Sequence, residues 1–176
     1  MGATGVVALG FAYPAPGHLE ALDEAVEGLE AGAVRRSMER FTEAVGDLEL
    51  GEWEELHTAT CDLSPQFVPY VGHVTWGENY RRGEFMADLK ADMEAHDVEL
   101  HGELPDHIEV VLRYIDALAQ DHAEPREDLM EVLPDAVASM SHTLAKASAK
   151  NPYRHLLAAT AAALDAPTPV RIGDRR

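Results

Sequence analysis

Positive charge is scarce in this chain. Fourteen lysines and arginines stand against 32 aspartates and glutamates, a formal net charge of -18 in 176 residues, and a field of that sign repels phosphate backbones and anionic membrane faces. Nucleic acid is excluded as a partner class, whereas a cationic segment of another protein is attracted; the same charge also keeps a protein in solution. Cysteine is scarcer still. Cys61 stands alone, so no intramolecular disulfide can form and nothing points to an oxidising compartment. Long hydrophobic runs are missing too: the apolar stretch over residues 6–12 is interrupted by Gly10, lacks a basic flank and is far shorter than a membrane span. Met1-Gly2 has Val6 where a myristoylation signal wants Ser or Thr. These absences predict a soluble, cytoplasmic protein with no membrane insertion.

Recognisable catalytic motifs are also lacking. Gly2, Gly5 and Gly10 are followed by no Gly-Lys-Ser/Thr and form no Gly-x-Gly-x-x-Gly, so a nucleotide loop is not expected. Nine histidines raise the question of a metal, with His96, His101 and His107 near Asp97 and Asp106, but none shows the His-Glu-x-x-His spacing that sets two ligands on one helix face. Cys61 as a nucleophile needs a histidine base in reach, for which His57 and His73 are the candidates; a packed thiol is the expectation. No catalytic residue, metal or cofactor is assigned, and the chain is not expected to be an enzyme.

What is present is helical periodicity. Leu19, Leu22, Val26 and Leu29, then Val34, Met38, Phe41, Val45 and Leu48, recur in steps of three or four, and Leu50, Trp53 and Leu56 begin a third helix. Between His18 and Thr60 twelve acids oppose three bases. From Cys61 to Gly77 the period lapses around Pro65 and Pro69, which reads as a long ordered loop. It resumes at Phe85, Met86, Leu89 and Met93, ending near His96 before a polar connector to Leu104. Ile108, Val111, Leu112, Ile115, Leu118 and Ala119 form the cleanest apolar stripe in the chain. Leu129, Leu133, Val137, Met140 and Leu144 continue the pattern, with Pro134 expected to kink or split that segment, and Asn151-Pro152 opens a last helix carrying Leu156, Leu157, Ala161 and Leu164. The predicted fold is all-α, a single compact helical bundle over residues 1–164, with residues 165–176 as a flexible C-terminal tail.

The most specific stretch is Glu103-Leu104-Pro105-Asp106-His107, running straight into the helix at Ile108. It resembles the Glu-Leu-Pro-Asp-His-Leu signature of the NarJ/TorD family, the dedicated assembly chaperones of respiratory nitrate reductase and related molybdoenzymes. Phe11-Ala12-Tyr13-Pro14 is similar to that family's opening Leu-x-x-Tyr-Pro, and the segment from Gly77 through Tyr80, Arg81 and Arg82 to Gly83 resembles its Gly-Glu-x-x-x-Arg-Gly element. The resemblance spans roughly residues 9–164 and fits the nitrate-reductase branch best. It implies a helical chaperone that holds the N-terminal segment of the molybdenum-containing catalytic subunit until cofactor insertion is complete, delaying membrane docking or export; a bundle with exposed apolar groove walls can pair helices, so a monomer or homodimer is expected. A helical ligand- or metal-binding protein sharing the fold is the alternative.

Partner contact is assigned to Glu103, Leu104, Pro105, Asp106, His107, Tyr114, Tyr80 and Arg81. Several of these also have an internal role open to them. Asp106 can cap the following helix, with Glu109 reaching back in a capping box worth roughly 1 kcal/mol. Tyr80, Arg81 and Arg82 can pair with Glu78, Glu84 or Asp88, and Arg113, beside Tyr114, is expected to face outward. Tyr70 and Trp76 are expected to anchor the loop in the core. The functional reading requires an open apolar furrow beside the helix that begins at Ile108.

Overall fold

A computed structural model describes residues 1–62 and 65–165. Among them are nine α-helices and no strand: α1 (Ala3–Phe11), α2 (His18–Glu27), α3 (Ala33–Gly46), α4 (Leu50–His57), α5 (Val71–Trp76), α6 (Tyr80–Ala95), α7 (Ile108–Gln120), α8 (Glu127–Ala147) and α9 (Tyr153–Asp165), with one π-helical turn, Thr58–Asp62, continuing α4. The all-α expectation is met.

Helix α1 organises the bundle and has no amphipathic stripe to reveal it. Val6, Val7, Ala8 and Phe11 are all buried, because α1 runs between α7 on one side and α9 on the other. A helix apolar all round belongs in an interior. Two glycines make its close contacts possible. A Cβ at Gly10 would stand 2.5 Å from a Leu156 methyl of α9, and one at Gly5 would stand 2.7 Å from the Asp116 carboxylate of α7.

Both ends of α1 are capped by side chains distant in sequence. Asp116 accepts from the backbone N–H groups of Gly2 (2.7 Å) and Gly5 (3.2 Å), placing a carboxylate where unpaired donors and the positive end of the helix dipole both favour it. At the other end the Nε2–H groups of His18 and His57 donate to the carbonyls of Leu9 (2.8 Å) and Phe11 (3.1 Å). A carbonyl only accepts, so both rings carry their proton on Nε2, and each buried Nδ1 is left without a partner.

Helices α2, α3, α6, α7 and α9 fall where the periodicity places them. Asn151 caps α9, accepting from Tyr153 N–H at 2.9 Å. Two expectations need correction. The stretch from Cys61 to Gly77 is not loop throughout: the π turn extends to Asp62 and α5 fills 71–76, held by Val71 N–H donating to Asp106 O at 2.8 Å. Pro134 does not split its segment, since α8 is a single helix through it. The proline is exposed, while Leu129, Leu133, Val137, Met140 and Leu144 on the other face are buried and outweigh the lost backbone bond. The expected tail lies outside the described residues, apart from Asp165, which closes α9.

Candidate functional site

The segment before α7 is fastened to its neighbours from three directions. Its backbone pairs with the strand-like stretch before α5: Val71 N–H donates to Asp106 O and Ile108 N–H to Pro69 O, both at 2.8 Å, an isolated antiparallel bridge between Tyr70 and His107. Side chains add a second fastening, with Tyr70 hydroxyl donating to Glu103 at 3.1 Å and the Tyr70 and His107 rings meeting edge to face at 5.2 Å. The third comes from α6, whose Arg82 grips Asp106 with two bonds, Nε–H at 2.9 Å and an Nη–H at 3.3 Å. The same guanidinium lies over the Tyr70 ring, 5.6 Å from its centre. Gly72 leaves the room, since a Cβ there would meet Asp106 Oδ2 at 2.8 Å.

This geometry corrects the role expected of Asp106. It does not cap α7. His107 does, its Nδ1 accepting from Glu109 N–H at 3.3 Å, while Asp106 is 0% exposed and committed to Arg82. Burial of the His107 imidazole drives its pKa below the usual histidine value, overriding the nearby carboxylates of Glu103 and Glu109. Burial and the Glu103 carboxylate push the Tyr70 phenol up to about 12. Both rings are neutral at pH 7.

Of the eight residues assigned to partner contact, three are interior. Pro105 and Asp106 are buried, and Tyr114 is 0% exposed, its hydroxyl donating to Asp92 of α6. Tyr114 lies on the same side of α7 as its apolar stripe, so a partner chain cannot touch it without the bundle opening. Leu104 (44% exposed) and Tyr80 (73%) stand at the surface with Arg81, and Glu103 and His107 are half-buried. Arg82 makes the expected bridge to Glu78 at 3.8 Å, but its closer partner is Asp106. Trp76 packs on Phe85, ring centres 5.0 Å apart, and is half-buried like Tyr70.

The furrow that the functional reading requires is present beside α7. A cleft of about 510 Å³ runs between α1, α7 and the connector after α6, lined by Leu9 of α1 and Ala12 just after it, Glu109, Arg113, Asp116, Ala117 and Gln120 of α7, and His96, Asp97, Val98, Glu99 and His101 of the connector. Leu9, Ala12, Val98 and Ala117 give it an apolar lining that the buried Asp116 carboxylate shares, and Asp97 and Glu99 stand exposed at its edge. Arg113 does not simply face outward: it forks onto the Glu109 carboxylate and donates to Glu99 O at 2.7 Å, tying the connector to α7 as the furrow's outer wall. His96, which caps α6, bonds Asp121 at 3.3 Å, and His101 lies 3.6 Å from Glu99.

None of the eight assigned residues lines this furrow. The motif segment sets where α7 begins, and α7 supplies the wall. Sequence reasoning missed Leu9, Ala12, Val98 and Ala117 because the wall from α1 became visible only once α1 was a helix. Asp116 gave no signal either, since it falls in a polar row with Glu109, Arg113 and Gln120 at steps of three and four.

Cys61 is buried, and that burial, with Asp62 beside it, raises its pKa far above the range of a reactive thiol. Among the described residues no three His, Cys, Asp or Glu side chains converge as metal ligands, and no helix is long and apolar enough to cross a membrane. Comparison with known families matches residues 20–166 to the nitrate reductase delta subunit. No curated protein matches the chain.

Proposed function

The chain belongs to the nitrate reductase delta subunit family, whose members are molybdoenzyme assembly chaperones, and on that premise we propose that it holds the N-terminal segment of a molybdenum-containing catalytic subunit in the furrow between α1 and α7, without catalysis. The observation that carries the proposal is the furrow itself, apolar lining from Leu9, Ala12, Val98 and Ala117 beside the exposed carboxylates of Asp97 and Glu99. Such a channel accepts the apolar side chains of an amphipathic or extended peptide, while the two carboxylates meet its Arg or Lys residues. Each apolar side chain seated there leaves water with a gain of about 1.5–3 kcal/mol, before the cost of ordering the peptide. A segment so held is withheld from membrane docking or export. The accessible motif residues Leu104, His107, Glu103, Tyr80 and Arg81 extend the contact surface beyond the furrow, with the protein acting in the cytoplasm.

Titration with N-terminal peptides of molybdenum-containing catalytic subunits of the nitrate reductase type tests this reading. Saturable binding at low salt, tighter than to scrambled peptides and weakened at least tenfold by Ala117→Trp with helix content unchanged, is the expected result. Equal affinity for native and scrambled sequences, or indifference to Ala117→Trp, overturns it.

A further inference from the structure

The segment that follows α9 in the sequence is basic and partly apolar. Residues 166–176 read Ala-Pro-Thr-Pro-Val-Arg-Ile-Gly-Asp-Arg-Arg and hold three arginines against one aspartate, the reverse of the balance elsewhere. Val170 and Ile172 alternate with Arg171, so an extended backbone turns the two apolar side chains to one side. Pro167 and Pro169 limit the backbone freedom of the free chain, which lowers the entropy lost on docking.

The point at which this segment leaves the bundle favours the same occupant. Tyr153 at the start of α9 meets Phe11 at the end of α1, with ring centres 6.4 Å apart, and Leu156 packs against Gly10. Rising numbers on α9 meet falling numbers on α1, so the two helices run antiparallel. At 1.5 Å per residue, α9 climbs about 13 Å from Leu156 to Asp165, and α1 descends about 10 Å from Gly10 to Ala3. Asp165 and the N-terminus of α1 therefore lie toward the same end of this antiparallel pair, and Met1 and Gly5 are part of the furrow's lining. Eleven residues reach about 36 Å extended, enough to cross over that end and run the length of α1.

We infer that residues 166–176 dock into the furrow of the same molecule, Val170 and Ile172 over the Leu9–Ala117 lining and the arginines against Asp97 and Glu99, so that the tail competes with a partner segment. Asp97 and Glu99 are exposed, and Glu94 adds a carboxylate beside them. The inference deepens the proposed function and rests on the furrow being its binding site. A tail held in cis excludes weak or wrong peptides and yields to one that fills the furrow better.

A spin label on Thr168→Cys in the full chain tests it, because the buried Cys61 thiol resists labelling. The expected result is selective broadening of Leu9, Val98 and Ala117 amide resonances, lost in R171E/R175E/R176E. That charge-reversed tail should also raise affinity for a molybdenum-subunit peptide several-fold. Absence of broadening in the furrow, or broadening unaffected by charge reversal, overturns the inference, as does broadening that arises only between a labelled and an unlabelled molecule. Peptide binding in the furrow without tail contacts removes this inference and leaves the proposed function; tail contacts without peptide binding overturn both, because the tail would then have no partner segment to compete with.

Discussion

At Asp106 a carboxylate with no exposure meets a guanidinium whose side chain is 12% exposed, and the pair joins α6 to the start of α7. Removing one partner strands the other charge in a poorly solvated place. Asp106→Ala should therefore cost about 3–5 kcal/mol, the range for breaking a buried pair, measured by urea denaturation. The double replacement Arg82→Met with Asp106→Leu should recover part of that loss. His107 makes a separate prediction about pH. Its folded pKa is depressed by burial, so between the unfolded value near 6.5 and that lower value the unfolded chain binds more protons. Stability is then complete above pH 6.5 and is lost as pH falls toward the folded pKa. Protonation also takes the Nδ1 lone pair that receives Glu109 N–H. His107→Asn keeps an N-cap acceptor and removes the titration, so denaturation midpoints from pH 7 to 5 should fall less steeply in the variant; identical slopes would remove His107 as the cause.

The helices divide by how much of their reason for existing is local. Helices α2, α3, α6, α7 and α9 each carry their own apolar period, and their sequence positions announced them. Helix α1 did not, because burial on all sides erases a stripe, and α5 did not, because six residues between prolines and a glycine are shorter than any periodic window. Asp106 shows the same limit at the site: a capping rule sees four residues, whereas Arg82 lies twenty-four positions away. The glycines follow this division. Gly5→Ala and Gly10→Ala push a Cβ against Asp116 and Leu156 and should each destabilise by about 1–3 kcal/mol. Gly51 in α4 and Gly83 in α6 have nothing within 4 Å of an added Cβ, so alanine at either should stabilise by about 0.5–1 kcal/mol through helix propensity. Thermal melts of the four variants check the contrast, and destabilisation at Gly51 or Gly83 would refute it.

Across the whole molecule the charge of -18 acts on folding and on binding with opposite signs. Like charges spread over one compact surface repel, so the bundle is held together against its own field. Added salt screens that repulsion, with a Debye length of about 10 Å at 0.1 M and 3 Å at 1 M, and the free chain should melt at higher temperature as sodium chloride rises. Capture of a cationic peptide draws on the same field as attraction. Its affinity should fall over that salt series, chiefly through slower association. Hydrophobic seating on Leu9, Val98 and Ala117 is not screened, so affinity should level off at high salt instead of vanishing. Stability and affinity moving in opposite directions as salt is added is the behaviour expected of exposed carboxylates beside an apolar lining. Affinity that is flat with salt would mean that Asp97 and Glu99 only solvate the chain, leaving the apolar lining to carry recognition alone.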